Sequence, residues 1–219
     1  MALDTLGVLL DQPSTAEAVR DRVASLLVAN FEEQRALATA AGEPPEEFDA
    51  YVFTERSSPW ELARAGDQTP IVNVSLDNAS YQGDRSPSAN HQHAEQRINI
   101  DCVAFGVNEQ TADGHDPGDY LASLEAARVT RQVRSMLMSP GNTVLQLRGT
   151  VHKRWIESTQ MLQPPAQGGT FHVVASRLTL VVGFLESAPV PDPTLLEIVY
   201  SEFDRATDGK ITLAVQYGE

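Results

Sequence analysis

The chain carries one cysteine, Cys102, in 219 residues. A single thiol excludes an internal disulfide and any cysteine-rich zinc site, because both need sulfur in numbers. Long apolar runs are missing as well; none approaches the roughly 18 residues of a membrane span. The opening MALDTLGVLL has no basic flank, so a secretory leader is not expected. Positive charge is scarce: 16 Lys and Arg stand against 30 Asp and Glu, a net charge of -14. Such a chain is soluble and repels nucleic acid unless its charge is segregated. These absences predict a protein made and kept in a reducing cytoplasm, with no membrane partner. G-x-S-x-G, P-loop, Rossmann and H-E-x-x-H patterns are all absent. No enzyme, catalytic residue or cofactor is expected.

What is present builds a core. Hydrophobic residues make up 42% of the chain and charged ones 21%, which suits a packed domain. Ser14 and Glu17 form a capping box. Behind it Val19, Val23, Leu26, Leu27, Asn30 and Phe31 recur at helical spacing, and Gly42 with Pro44 and Pro45 stops the pattern. Arg20, Arg22, Glu32 and Glu33 are expected in solvent. A short strand is expected near 49–54. TPIVNVSLDNASY and RINIDCVAFG both alternate, predicting an antiparallel pair across a polar loop from Gly83 to Gln92. A second helix opens at 117–119, with Leu121, Leu124, Ala127, Thr130, Val133, Met136 and Leu137 as its buried stripe. Ser139, Pro140 and Gly141 end it.

TVLQLRGTV and TFHVVASRLTLVVGFLE then read as strands. A long hairpin arm with Trp155 and Met161 lies between them. In the second strand Val174, Leu178, Leu180, Val182 and Phe184 carry the core face. The prolines of APVPDP mark a stiff linker. Beyond it, two alternating segments flank Asp208-Gly209, a hairpin turn signal. The expected fold is α+β: a mainly antiparallel sheet, two principal helices and a C-terminal β-hairpin extension. The divisions are a core over 1–188, a linker over 189–193 and the hairpin over 194–219. A lone two-stranded hairpin is not stable, so it needs a partner surface.

Chemistry is thinly spread. His91 and His93 could offer Zn²⁺ ligands at strand spacing, with Glu95, Asp84 or His115 as a third. A ligand set needs a rigid backbone, and the polar loop predicted around His91 does not supply one. No metal is therefore expected there. Cys102 falls on the apolar face with Ile98 and Ile100, so a small buried thiol is expected. Asp204, Asp208 and Gly209 sketch a calcium loop, but the full ligand pattern is absent.

Charge is segregated. Arg128, Arg131, Arg134, Arg148, Lys153 and Arg154 occupy a stretch without a single acid, whereas 186–219 hold seven acids and two basic residues. Arg128, Arg131 and Arg134 share a helix face, where ordinary solvation and the helix dipole account for them as well as a partner does. Opposite charge in separate regions suits head-to-tail association of copies. The expected contact residues are Arg128, Arg131, Arg134, Lys153, Arg154 and Trp155. For strand pairing they are Ile198, Tyr200, Ile211 and Leu213.

The order of INIDCVAFG, a loop, the helix DYLASLEAARVTRQVRSMLMSP and a strand pair closed by RLTLVVGFLESAP resembles a known family. These are the tail terminator and related head–tail connection (neck) proteins of tailed bacteriophages, particularly contractile-tailed ones. The resemblance covers residues 15–188. It implies an α+β fold and a hexameric ring that caps the tail tube, ends its polymerisation and docks the neck or connector protein. It implies location in the virion after assembly in the host cytoplasm, and no catalytic residues. The partners would be further copies of the chain, the tube protein, the connector and, through the hairpin, the sheath protein. DNA would pass an acidic lumen without specific binding. Another neck, tail-completion or tube subunit, or a metal-binding enzyme built on His91, His93 and Glu95, remains an alternative.

Overall fold

The computed structural model describes residues 13–62, 68–82, 91–111, 114–162, 171–187, 202–205 and 211–214. By its contacts the chain divides into two compact units. One is Pro13–Glu186; the two C-terminal strands belong to the other.

Helix α1 spans Thr15–Ala41. Its capping box is formed: the Ser14 side chain accepts from the Glu17 N–H, and the Glu17 carboxylate accepts from the Ser14 N–H at 2.7 Å. These bonds hold the Glu17 carboxyl below its usual pKa. Gly42 ends the helix in the left-handed conformation at φ 74, which glycine adopts without a Cβ penalty. Arg20 and Arg22 are not in solvent as expected. Arg20 is half-buried and reaches Asp21 and Glu55. Arg22 donates to the Leu145 carbonyl at 3.2 Å and to the Gln146 side chain.

The sheet has five strands in the order β1 (Tyr51–Thr54), β2 (Ile71–Gln82), β3 (His91–Val107), β7 (Phe171–Ser187), β6 (Val151–Leu162). β1 runs parallel to β2, whereas β2–β3 and β6–β7 are antiparallel. Asn99 meets Thr179 and Asp101 meets Arg177, so β3 and β7 also run in opposite directions. A small antiparallel pair, β4 (Glu109–Thr111) and β5 (Gly114–Asp116), precedes helix α2 (Gly118–Met138).

Strand alternation divides the sheet into two faces. Ile98, Ile100, Cys102, Val72, Val74, Leu178, Leu180, Val182 and Phe184 lie against α1 and α2 in the main core. The other face carries a smaller apolar group, Ile71, Val103, Phe105 and Ala175, with Phe53 and Trp60 against it. Both helices belong to the main core alone.

Two expectations are corrected. Residues 143–150 are turns rather than a strand, with Leu145, Gln146 and Gly149 at positive φ. Leu145 is fully buried, plugging the core from a loop. The α2 stripe is out of phase: Ala122, Ala126, Val129, Thr130, Val133, Met136 and Leu137 are buried, while Leu124 and Ala127 are exposed. The reason is a close approach. A Cβ on Gly106 of β3 would strike the Gly118 carbonyl oxygen and come within 2.8 Å of the Ala122 nitrogen. Small residues must line that side of α2, so Leu124 turns outward.

In the second unit, β8 (Glu202–Arg205) pairs antiparallel with β9 (Ile211–Ala214). Ile211 stands opposite Arg205 and Leu213 opposite Phe203. Ile198, Tyr200, the proline linker and the Asp208-Gly209 turn lie outside the described residues.

Candidate assembly surface

The residues expected at a subunit contact divide into two groups. Arg128, Lys153 and Arg154 are engaged within the chain. Arg128 forms a two-pronged ion pair with Glu125. Lys153 bonds Glu95 at 2.5 Å, and its ammonium sits 5.2 Å from the centre of the half-buried Trp155 ring. Arg154 donates to the carbonyls of Asn142 at 2.7 Å and Ser139 at 2.9 Å, and to the sulfur of Met138. It thereby fastens the start of β6 to the end of α2, satisfying carbonyls left over by the helix terminus. Burial holds the Arg154 guanidinium below its usual pKa. Arg131 and Arg134 differ: both are exposed, and neither forms an ion pair among the described residues.

The candidate metal ligands are dispersed. His91 and His93 belong to β3 rather than to a loop. The His93 ring meets His152 edge-on, with centroids 5.3 Å apart. Glu95 is committed to Lys153. No three His, Cys, Asp or Glu among the described residues could hold an ion together; the side chains of His91, Asp84 and His115 lie outside those residues. Cys102 is buried against α2, and burial pushes its thiol up to about 12. It is inert as a nucleophile.

Sequence reading missed the second face of the sheet. It carries cross-strand ion pairs: Glu95–Lys153, Arg97–Glu157 at 2.7 Å and Asp101–Arg177 at 2.6 Å. The Asp101 side chain is 4% exposed and that of Arg177 30%. The hydrogen bonds that Arg177 donates to Asp101 raise the Arg177 pKa, and those from Arg97 lower the Glu157 pKa. Asn73, beside them, exchanges two hydrogen bonds with the backbone of Arg56 and ties segment 55–56 across this face. The partners in each ion pair are far apart in sequence, so only the strand register reveals them.

The α2 helix packs on β3, the central strand of the sheet. Near its start, Asp119, Tyr120 and Ser123 share a cleft of about 630 Å³ with Met161, Leu162, Val173 and Val174 at the far end of β6 and β7. At its end, Met138 touches Arg154 near the start of β6. Along α2 the residues Tyr120, Leu124, Ala127, Arg131, Arg134 and Met138 are all exposed, at spacings of four and three. That spacing makes them one continuous stripe. Tyr120 is 54% exposed, Leu124 53% and Met161 56%. The stripe is apolar at its ends and cationic between.

Comparison with protein-family models finds no match, and comparison with curated proteins finds none.

Proposed function

We propose that the chain is a structural virion protein of a contractile-tailed phage. It assembles into a ring, a hexamer by the resemblance above, that ends the tail tube and joins it to the neck. The supporting observation is the exposed stripe on α2, with Arg131 and Arg134 in no ion pair among the described residues, in a chain whose segment 186–219 holds seven acids against two basic residues. A surface that mixes such cations with apolar side chains suits contact between copies. Order of elements supports the family: a helix, a strand pair, a second helix and a second strand pair over residues 15–187. One face of the ring would fit the last tube ring, and the other would receive the connector.

Negative-stain images of the purified full chain test this reading. Closed six-fold rings that stop growth of a polymerising tube protein are the expected result. Open-ended tubes formed by the chain alone would make it a tube subunit, and particles of one copy at every concentration would overturn the ring.

A further inference from the structure

We propose that the exposed face of α2 in one copy of this chain packs on the exposed face of α1 in a second copy. The inference rests on the ring reading and names the contact that closes it. Both helices bury one stripe in the same core and leave the opposite side in solvent. Along α2, Tyr120, Ala127, Arg131 and Met138 are exposed at spacings of seven, four and seven, with Leu124 and Arg134 to either side. Along α1, Ala18, Ser25, Ala29 and Ala36 are exposed at the same spacings. Val28 and Glu32 flank that line on one side, Glu33 and Leu37 on the other, and all four are exposed. Spacings of seven and four keep side chains on one line of a helix. Val28 is 41% exposed and Leu37 55%, so α1 too leaves large apolar groups in water.

The two faces are complementary in shape, order and sign. Small side chains along α1 let a second helix come close, and the larger side chains of α2 stand over such a line. Glu32 and Glu33, like Arg131 and Arg134, form no ion pair among the described residues. Each face reads apolar, charged, apolar. On α2 the order is Ala127, then Arg131 and Arg134, then Met138; on α1 it is Val28, then Glu32 and Glu33, then Leu37. Lengths agree: Ala127 to Met138 rises about 17 Å and Val28 to Leu37 about 14 Å at 1.5 Å per residue. With the arginines set on the glutamates, the apolar groups at both ends meet apolar partners as well.

The geometry selects a second copy. Within one chain α1 and α2 share one core and turn their exposed sides away from it, so neither can cover the other's outer face. The two faces also differ in sign. One copy therefore uses its α2 face on one neighbour and its α1 face on the other. Such head-to-tail contact passes from copy to copy until a ring closes.

A charge-swap exchange in the full chain tests this. One variant carries Arg131→Glu and Arg134→Glu, and the other Glu32→Arg and Glu33→Arg. All four positions are exposed, and circular dichroism checks that each variant is folded. Ala29→Trp sets bulk on the line of small residues without changing charge and gives an independent third variant. Light scattering should find the unchanged chain assembled and each variant alone weaker in assembly by about tenfold or more, because like charges or a clash then face each other. An equimolar mixture of the two charge variants should assemble again, alternating around the ring, because the α2 of each then matches the α1 of the other. An unchanged chain that assembles alongside three variants equal to it would overturn this contact while leaving the ring. Weakening by the α2 change alone, with both α1 variants equal to the unchanged chain, would give α2 a different partner and overturn it too. A mixture that stays apart would break the pairing of the two faces. An unchanged chain that never assembles would overturn the ring and this contact together.

Discussion

The two faces of the five-stranded sheet solve the same problem differently. One is built of Val72, Ile98, Ile100, Leu178, Leu180 and Phe184 and is covered by two helices. The other mixes a small apolar group with three cross-strand ion pairs, and neither α1 nor α2 packs on that apolar group among the described residues. Antiparallel sheets commonly bury one face and leave the other wet. Among the described residues the wet face pairs Glu95, Arg97 and Asp101 across strands, whereas Arg131 and Arg134 of α2 form no ion pair. On the proposed reading, folding and assembly use different surfaces of the molecule.

Changes to the covered face should cost most. Phe184→Ala leaves a cavity in the main core and should destabilise by about 3–5 kcal/mol, read as a fall in the denaturation midpoint. On the wet face Asp101→Ala should cost less, about 2 kcal/mol, because it strips the half-exposed Arg177 of its charged partner. Arg97→Ala, in a pair open to solvent on both sides, should cost under about 1 kcal/mol. If Arg97→Ala proved as damaging as Phe184→Ala, the two faces would not differ in kind.

The smallest effect is one of pH. Burial, followed by the charges of His93 and Lys153, holds His152 below its usual pKa, with Glu95 opposing them. The unfolded chain then takes up the proton before the folded one. Stability is fully present above the ordinary histidine value of about 6.5 and declines as pH falls below it towards the folded value. His152→Gln should flatten that decline, measured as melting temperature between pH 5 and 7.

Local signals in the sequence were reliable where one segment decides its own structure. The Ser14–Glu17 box and Gly42 bound α1, and alternation located β2, β3 and β7. Where distant segments decide, reading failed. Residues 143–150 alternate like a strand because Leu145 and Leu147 serve a core reached through turns. The α2 stripe was set by leucines, yet the facing Gly106 demands alanines. His91 and His93 were given to a loop because a polar surface strand lacks apolar alternation. Arg131 and Arg134, expected at a contact from their charge, are exposed on α2. Their neighbours Tyr120, Leu124 and Met161 were hidden, since exposure of an apolar side chain depends on the whole packing.

Amide hydrogen exchange on the full chain, above and below its assembly concentration, tests the division of labour most directly. The proposed ring predicts that assembly adds protection along α2, Gly118–Met138, and leaves β3 and the ion-paired face unchanged. Added protection on β3 and β7, with α2 unaltered, would contradict it.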